Sequence, residues 1–174
     1  MTNHFVTSAT IQSPLGPMYL AATANGLTCC RFLPTGTCSF MRIDQKPEGD
    51  FSSQGQIILL QATLQLHEYF HGTRHDFTIP VAPSGTAFQR SVWDALQTTI
   101  PYGTTASYSD VAVAIHNPKA VRAVGMANNK NPIYVIIPCH RVVGKDGAMV
   151  GYGAGLDIKV KLLKFEGATV RNSI

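Results

Sequence analysis

Three short runs of strand-forming, largely apolar residues open the chain, near Phe5–Gln12, Met18–Ala22 and Leu27–Leu33. The turn signals SPLG and ANG separate them, so the pattern predicts three β-strands. From Pro34 to about Gln56 the apolar pattern gives way to Gly, Ser, Pro and charge, which predicts a loop. Residues 57–70, IILLQATLQLHEYF, then predict a helix stopped by Gly72. A short run, DFTIP (76–80), predicts one more strand, and PVAPSG (80–85) predicts a linker.

Beyond the linker the pattern changes to short helices. Thr86-x-x-Gln89 is a capping-box pattern, and Phe88, Val92, Leu96 and Ile100 form one apolar stripe that ends at Pro101-Tyr102-Gly103. Ser107-x-x-Asp110 predicts the start of a second helix running to about Ile115, and Asn117-Pro118 reads as the N-cap and first residue of a third, running to about Asn129. Two short helices joined by His116-Asn117-Pro118 are a helix-turn-helix candidate, although many such pairs are only packing units. The third helix is nearly smooth. Ala120, Val121, Ala123, Val124, Gly125 and Ala127 surround Arg122, a composition that fits either close approach to another surface or tight packing in a core. Ile133–Ile137 is unbroken and apolar, which predicts a buried strand. The glycine-rich stretch VVGKDGAMVGYGAG turns at Lys145-Asp146-Gly147 and lacks the Lys-Ser/Thr ending of a phosphate loop. Leu156–Phe165 predict a last helix, with Glu166 in its final turn and Gly167 as its stop.

Composition bounds this picture. A chain of 174 residues with 45% hydrophobic content buries a substantial core, in one domain or two small ones. The first residues have neither a basic nor an apolar signal region, and no apolar run approaches the roughly 18 residues of a membrane span, so neither secretion nor membrane insertion is expected. Four cysteines (29, 30, 38 and 139) show no paired spacing, which predicts free thiols in a reducing, cytoplasmic setting. Charge is uneven: residues 1–85 carry a net −1, and residues 86–174 a net +5. A basic half suits a polyanion partner, or is merely a solvated surface.

Two stretches carry candidate chemistry. HEYFH (67–71) matches a zinc-protease pattern, but Gly72 ends the helix at once and His75 comes too soon for a third ligand, so no metal is expected. Cys139 differs, because Pro138, His140 and Arg141 surround it. A thiol is a useful nucleophile only as the thiolate, which His140 could generate as a base and Arg141 could favour by its charge. Neighbours on an extended chain point to opposite sides, so a turn after Pro138 or a bridging water is required. Glu166, at the margin of the last helix's apolar face, is a third member able to orient the imidazole. On these grounds an acceptor thiol and an inert core thiol are both open.

PCHRV (138–142) resembles the active-site signature of the O6-alkylguanine-DNA alkyltransferases, the direct-reversal DNA repair proteins. GTAFQRSVWDAL, IPYGTTASYSDVA, NPKAVRAVG, NPIYVIIPCHRVVG, GYGAGL and KLLKFEGA follow the family's order, and EYFHGTRHDF resembles its segment before the linker, so the likeness covers most of the chain. The resemblance implies an α/β, ribonuclease-H-like N-terminal domain (1–79), the linker (80–85), and a mainly α, winged helix-turn-helix C-terminal domain (86–174) that carries the site. It implies that Cys139 takes the alkyl group of O6-alkylguanine once and irreversibly, without a cofactor. His140 then resembles the base, acting through a water and backed by Glu166, and Asn131 braces the turn at Pro138 and Cys139. Tyr108 resembles the tyrosine that swings the nucleotide out and donates to guanine N3. Arg122 resembles the finger that fills the vacated stack. Ala120, Val121, Ala123, Gly125 and Ala127 would line the minor groove of double-stranded DNA with little sequence preference. Tyr108, Val142, Tyr152 and Gly153 would line the pocket of the flipped base, and a monomer is expected. In one departure, some members carry a serine, donating to guanine O6, where Gly153 stands. The zinc-ligand pattern that some members hold in their N-terminal part is not evident. Two other readings are a lesion-binding module with an inert Cys139, and a cysteine hydrolase in which His140 serves acyl transfer.

Overall fold

The computed structural model describes residues 6–34 and 53–169. The chain divides into two compact units, Met1–Ser84 and Gly85–Ile174. In the first, β1 (Thr7–Ser13), β2 (Gly16–Thr23) and β3 (Gly26–Phe32) form an antiparallel sheet in the order β1-β2-β3. Its turns are tight, with Ser13 opposite Gly16 and Thr23 opposite Gly26. Gly26 has φ +149, and a Cβ there would meet the Pro80 carbonyl oxygen at 2.9 Å, so glycine is required on both counts. The helix α1 (Gln54–Phe70) packs on this sheet, burying Ile58, Ala62, Leu66 and Tyr69 in a core that includes Ile11, Met18, Leu20 and Leu27.

Two expectations for this unit change. The helix begins at Gln54, one turn before the apolar run, because Ser53 and Gln56 form a capping box ahead of it. DFTIP is not a strand. The chain meets the sheet at a single parallel bridge, Leu27 to Val81, in which the Leu27 N–H donates to Pro80 O and the Ala82 N–H to Leu27 O. Pro80 has no N–H to extend a ladder. Most of the expected loop 34–56 lies outside the described residues.

In the second unit, α2 (Ala87–Thr99), α3 (Tyr108–Ala114) and α4 (Val121–Asn129) pack together around Val92, Trp93, Leu96, Val111, Ala112 and Val124. Capping boxes start α2 at Thr86 and α3 at Ser107, as the spacing predicts. A two-residue strand β4 (Ala106–Ser107) pairs in parallel with β5 (Val142–Val143), a contact not anticipated, and α5 (Leu156–Phe165) ends at Glu166.

Here too, two elements differ. Asn117-Pro118 does not cap α4: these residues lie in a turn closed by Ala120 N–H to Asn117 O, and the helix starts at Val121 without a side-chain cap. Ile133–Ile137 is buried, as expected, but forms consecutive turns instead of a strand, with Ile137 N–H donating to Ile133 O and Val135 at φ +71. The reason is a side chain. Asn131 accepts from the Ile133 N–H and donates to the carbonyls of Ile133 and Ile137, so it satisfies backbone groups that a sheet neighbour would otherwise serve.

Candidate active site

The 3₁₀ turn Cys139–Arg141 follows Pro138 and supplies the bend that the adjacency of thiol and imidazole demands. Cys139 is 1% exposed, and its sulfur accepts a hydrogen bond from Asn131 Nδ2 at 2.9 Å. Its carbonyl accepts from Asn128 Nδ2 at 3.3 Å. Burial pushes the thiol up to about 11, although the Asn131 bond and the charge of Lys159 pull the other way. In its resting form the sulfur is therefore protonated, and ionising it requires a base.

That base can be derived from the network around Glu166. Arg141 donates from Nε to Glu166 Oε2 at 2.8 Å and from Nη2 to Oε1 at 3.0 Å, and its Nη1 donates to Ile100 O at 2.8 Å. His140 Nε2 lies 2.9 Å from Glu166 Oε1. Burial would raise the Glu166 carboxyl, but His140 and Arg141 outweigh it and hold the group down to about 2. An ionised carboxylate can only accept, so His140 carries its proton on Nε2. Burial lowers the imidazole's own affinity for a second proton. Nδ1 is therefore left as a bare lone pair, fully buried and without a hydrogen-bond partner among the described residues.

Arg141 thus serves Glu166 and not the thiol, which corrects the expectation that its charge acts on Cys139. The cation that does so is Lys159, a residue the sequence pattern did not single out. It is fully buried, and its Nζ donates to Val142 O at 2.6 Å and Val150 O at 2.7 Å. Tyr108, half-buried at the start of α3, donates from Oη to the same Val150 O at 3.3 Å. Tyr152 packs edge-on to His140 with ring centroids 6.5 Å apart. Val142 is fully buried and meets this network through its carbonyl.

The α4 surface is partly as expected. Arg122 is exposed, and Ala120, Val121, Ala123 and Gly125 are half-buried beside it. Ala127 is the correction: it is 2% exposed and its carbonyl accepts from Trp93 Nε1, so it belongs to the core and not to the surface. Met126, 67% exposed one turn after Arg122, shares the open face instead.

Both units match models of one family. Residues 6–83 match its ribonuclease-like domain, and residues 87–168 its DNA-binding domain. The chain belongs to the 6-O-methylguanine DNA methyltransferase family. It is 46% identical over 161 residues to the methylated-DNA–protein-cysteine methyltransferase of Methanosarcina acetivorans, covering 92% of this chain and 97% of that one. The namesake from Mycobacterium leprae is 42% identical over 165 residues, covering 94% of each. Among solved structures, the O6-methylguanine methyltransferase of Mycobacterium tuberculosis is similar at a TM-score of 0.76 and 40% identity, covering 94% of this chain and 93% of that one. A structure of OGT from the same organism in complex with DNA matches at 0.76 and 41%, covering 92% of both chains.

Within the methyltransferase family, the glycine at 153 has a local cause in this chain. A Cβ on Gly153 would fall inside the Tyr134 hydroxyl and 3.1 Å from Tyr134 Cζ. Tyr134, itself 6% exposed, packs against Tyr152 with ring centroids 5.4 Å apart. Gly153→Ser is therefore expected to slow methyl transfer and lower the melting temperature, whereas Tyr134→Phe/Gly153→Ser, which removes the hydroxyl and keeps the buried ring, recovers part of both. A double-mutant cycle should give a coupling of about 1 kcal/mol or more, and additive effects would show that the contact does not govern position 153. Neither Tyr134 nor Asn128 was marked by spacing, since each acts through a contact that only the folded turns create. Elsewhere, HEYFH ends α1, where the His67 and His71 rings stack at 4.0 Å, and no group of three metal-ligating side chains gathers among the described residues. Cys29 and Cys30 on β3 are free thiols, and no helix among the described residues is long and apolar enough to cross a membrane.

Proposed function

We propose that this chain repairs alkylated DNA directly, with Cys139 accepting the alkyl group of O6-alkylguanine once per molecule. The observation that carries the reading is the ordered row Arg141–Glu166–His140, which leaves a bare Nδ1 on the residue next to a buried thiol. His140 Nδ1 takes the thiol proton through a water, and Asn131 Nδ2 steadies the resulting anion by the bond it already makes. The sulfur then attacks the alkyl carbon, the S–C bond forms as the C–O6 bond breaks, and the electron pair passes to guanine, which is protonated and restored. A thioether has no ready leaving group, so the protein is spent.

The partner is double-stranded DNA entered from the minor groove. We read α3 and α4 as a helix-turn-helix, with β5 and the glycine-rich loop after it as a wing, and the first unit as ribonuclease-H-like. Arg122 on the open face of α4 fills the stack vacated by the flipped base, and the small half-buried residues beside it permit close approach. Tyr108 leaves Val150 O to donate to guanine N3, where a proton stabilises the departing anion. Tyr152, Gly153 and Val142 bound the base pocket. Free thiols among the described residues fit a reducing, cytoplasmic setting, and we read the chain as a monomer.

The test is direct. The chain is mixed with excess duplex bearing one O6-methylguanine, followed by intact mass and peptide mapping. One methyl on the Cys139 peptide, with repair stopping at one lesion per molecule, is expected. Lesion binding without a mass change would overturn the reading in favour of a recognition module. Repeated turnover with no retained adduct would point to a hydrolase.

A further inference from the structure

Asn128 lies in the last turn of α4, 3% exposed, and its Nδ2 donates to Cys139 O at 3.3 Å. Its other polar atom is idle. Oδ1 is buried and has no hydrogen-bond partner among the described residues. A side-chain amide carries an acceptor as well as donors, and leaving a buried acceptor unfilled is costly. The neighbouring carbonyls are in a different state: Cys139 O accepts from Asn128 itself, and Val142 O and Val150 O both accept from Lys159. Among these acceptors, Asn128 Oδ1 is the one without a donor.

The packing of α3 on α4 places that oxygen. Gly125 lies one turn before Asn128 on the same face of α4, and the Tyr108 ring covers it there: a Cβ on Gly125 would meet Tyr108 Cε1 at 3.7 Å and Cδ1 at 3.8 Å. The Tyr108 hydroxyl reaches on to Val150 O at 3.3 Å and would stand 3.8 Å from a Cβ on Gly151. Burial and the neighbouring Cys139 push that hydroxyl up, and a hydrogen bond from the Asn128 side chain pulls the other way, so the amide lies against the phenol. Tyr108, Asn128, the Cys139 turn and residues 150–151 therefore converge beside the nucleophile.

The base fixes what the donor can be. Alkylation of guanine at O6 removes the N1 proton, so N1, N3, N7 and the ether oxygen can only accept. The 2-amino group is the donor that the base retains, and it sits next to N3 on the same edge. A base that takes the Tyr108 proton at N3 carries its amino group to the acceptor bordering the phenol.

We propose that Asn128 is a specificity-determining residue for the base, its Oδ1 accepting from the 2-amino group of the flipped O6-alkylguanine while Tyr108 donates to N3. Movement of Tyr108 from Val150 O towards N3 uncovers the amide. Nδ2 keeps its bond to Cys139 O, so one side chain ties the base edge to the nucleophile's turn. This assignment rests on Cys139 being the alkyl acceptor and on Tyr108 meeting N3.

The test uses the full chain and two duplexes, one bearing O6-methylguanine and one bearing O6-methylhypoxanthine, which has hydrogen in place of the amino group. Single-turnover methyl transfer is read on both. The ratio of the two rates is the measurement, because a change in stability or in thiol reactivity moves both rates together. Wild type is expected to favour methylguanine about tenfold. Asn128→Leu should bring the ratio below about twofold, whereas Asn128→Asp, which keeps an acceptor, should hold it above about fivefold even where both rates fall. A wild-type ratio that survives in Asn128→Leu gives the amino group to a main-chain carbonyl and overturns the assignment. Should Asn128→Leu not fold, a crystal structure of the Cys139→Ser chain on methylguanine duplex supplies the readout. Asn128 Oδ1 within about 3.2 Å of N2 is expected, and a separation beyond about 4 Å overturns the assignment equally. A wild-type chain that takes no methyl from either duplex defeats Cys139 as acceptor and the assignment with it. A Tyr108→Phe chain with wild-type rates on both defeats the contact at N3, again with the assignment. Full repair by wild type at equal rates on the two duplexes defeats Asn128 alone.

Discussion

Glu166→Gln is expected to slow methyl transfer by about 10³-fold and to destabilise the second unit by about 3 kcal/mol or more. Glu166 accepts from His140 Nε2 and twice from Arg141, all within 3.0 Å and out of contact with water. Glutamine has one oxygen for three donors, and its own NH₂ is turned against either the guanidinium or the imidazole. The Arg141 charge, 6% exposed, is then left without its counterion. The rate falls for a separate reason: without a carboxylate at Nε2 the imidazole is free to carry its proton on Nδ1, where it can no longer accept one from the thiol.

Melts recorded against pH separate these effects. The Glu166 carboxyl is held down to about 2, from an ordinary value of 4.5, so its stabilising contribution is complete above pH 4.5 and lost as the pH falls towards 2. His140 is also depressed, by burial, so the unfolded chain binds that proton first and stability starts to fall below the ordinary value of 6.5. In Glu166→Gln the lower of these two losses should vanish. Melts and single-turnover rates within threefold of wild type, with the acid limb intact, would show that the carboxylate does neither job.

Features that depend on nearest neighbours could be read from the chain. The capping boxes at Thr86 and Ser107 and the glycine-bounded hairpins lie within four residues of the signals that predict them. The stretch Ile133–Ile137 could not, because an apolar run of five fits a strand and a set of buried turns equally, and Asn131 decides between them by taking over the backbone bonds. The site divides in the same way. Cys139, His140 and Glu166 were legible as residue types able to form a relay. The partner of Arg141 lies 25 residues away and was not legible. Lys159 reads in KVKLLKF as one more solvated charge, and it becomes an interior cation only when Val142 and Val150 present their carbonyls to it. Ala127 was read onto the surface for a related reason: helix phase relative to the core is set by what α4 packs on, here Trp93.

Asn131→Asp is the second large effect expected, about 10²- to 10³-fold in methyl transfer at pH 8, and it isolates the sulfur's own environment from the His140–Glu166 relay. The change is nearly isosteric and keeps the acceptor for the Ile133 N–H at 2.9 Å. What it removes is the Nδ2 group that reaches Ile137 O and Cys139 Sγ, each at 2.9 Å. In its place stands a second anion beside a thiol that burial has already pushed up to about 11. Like charge and a lost donor both disfavour the thiolate, and the Ile137 carbonyl faces an oxygen instead of a donor. Protonation of the new carboxyl supplies an O–H donor again, so the deficit relative to wild type should narrow as the pH falls from 8 to 6. A structural defect would widen over that range as His140 is drawn towards protonation. Because Arg122 projects from the open face of α4, affinity for undamaged duplex should stay close to wild type by fluorescence anisotropy. Should Asn131→Asp transfer within threefold of wild type at pH 8, the hydrogen bond to sulfur contributes nothing to the transition state.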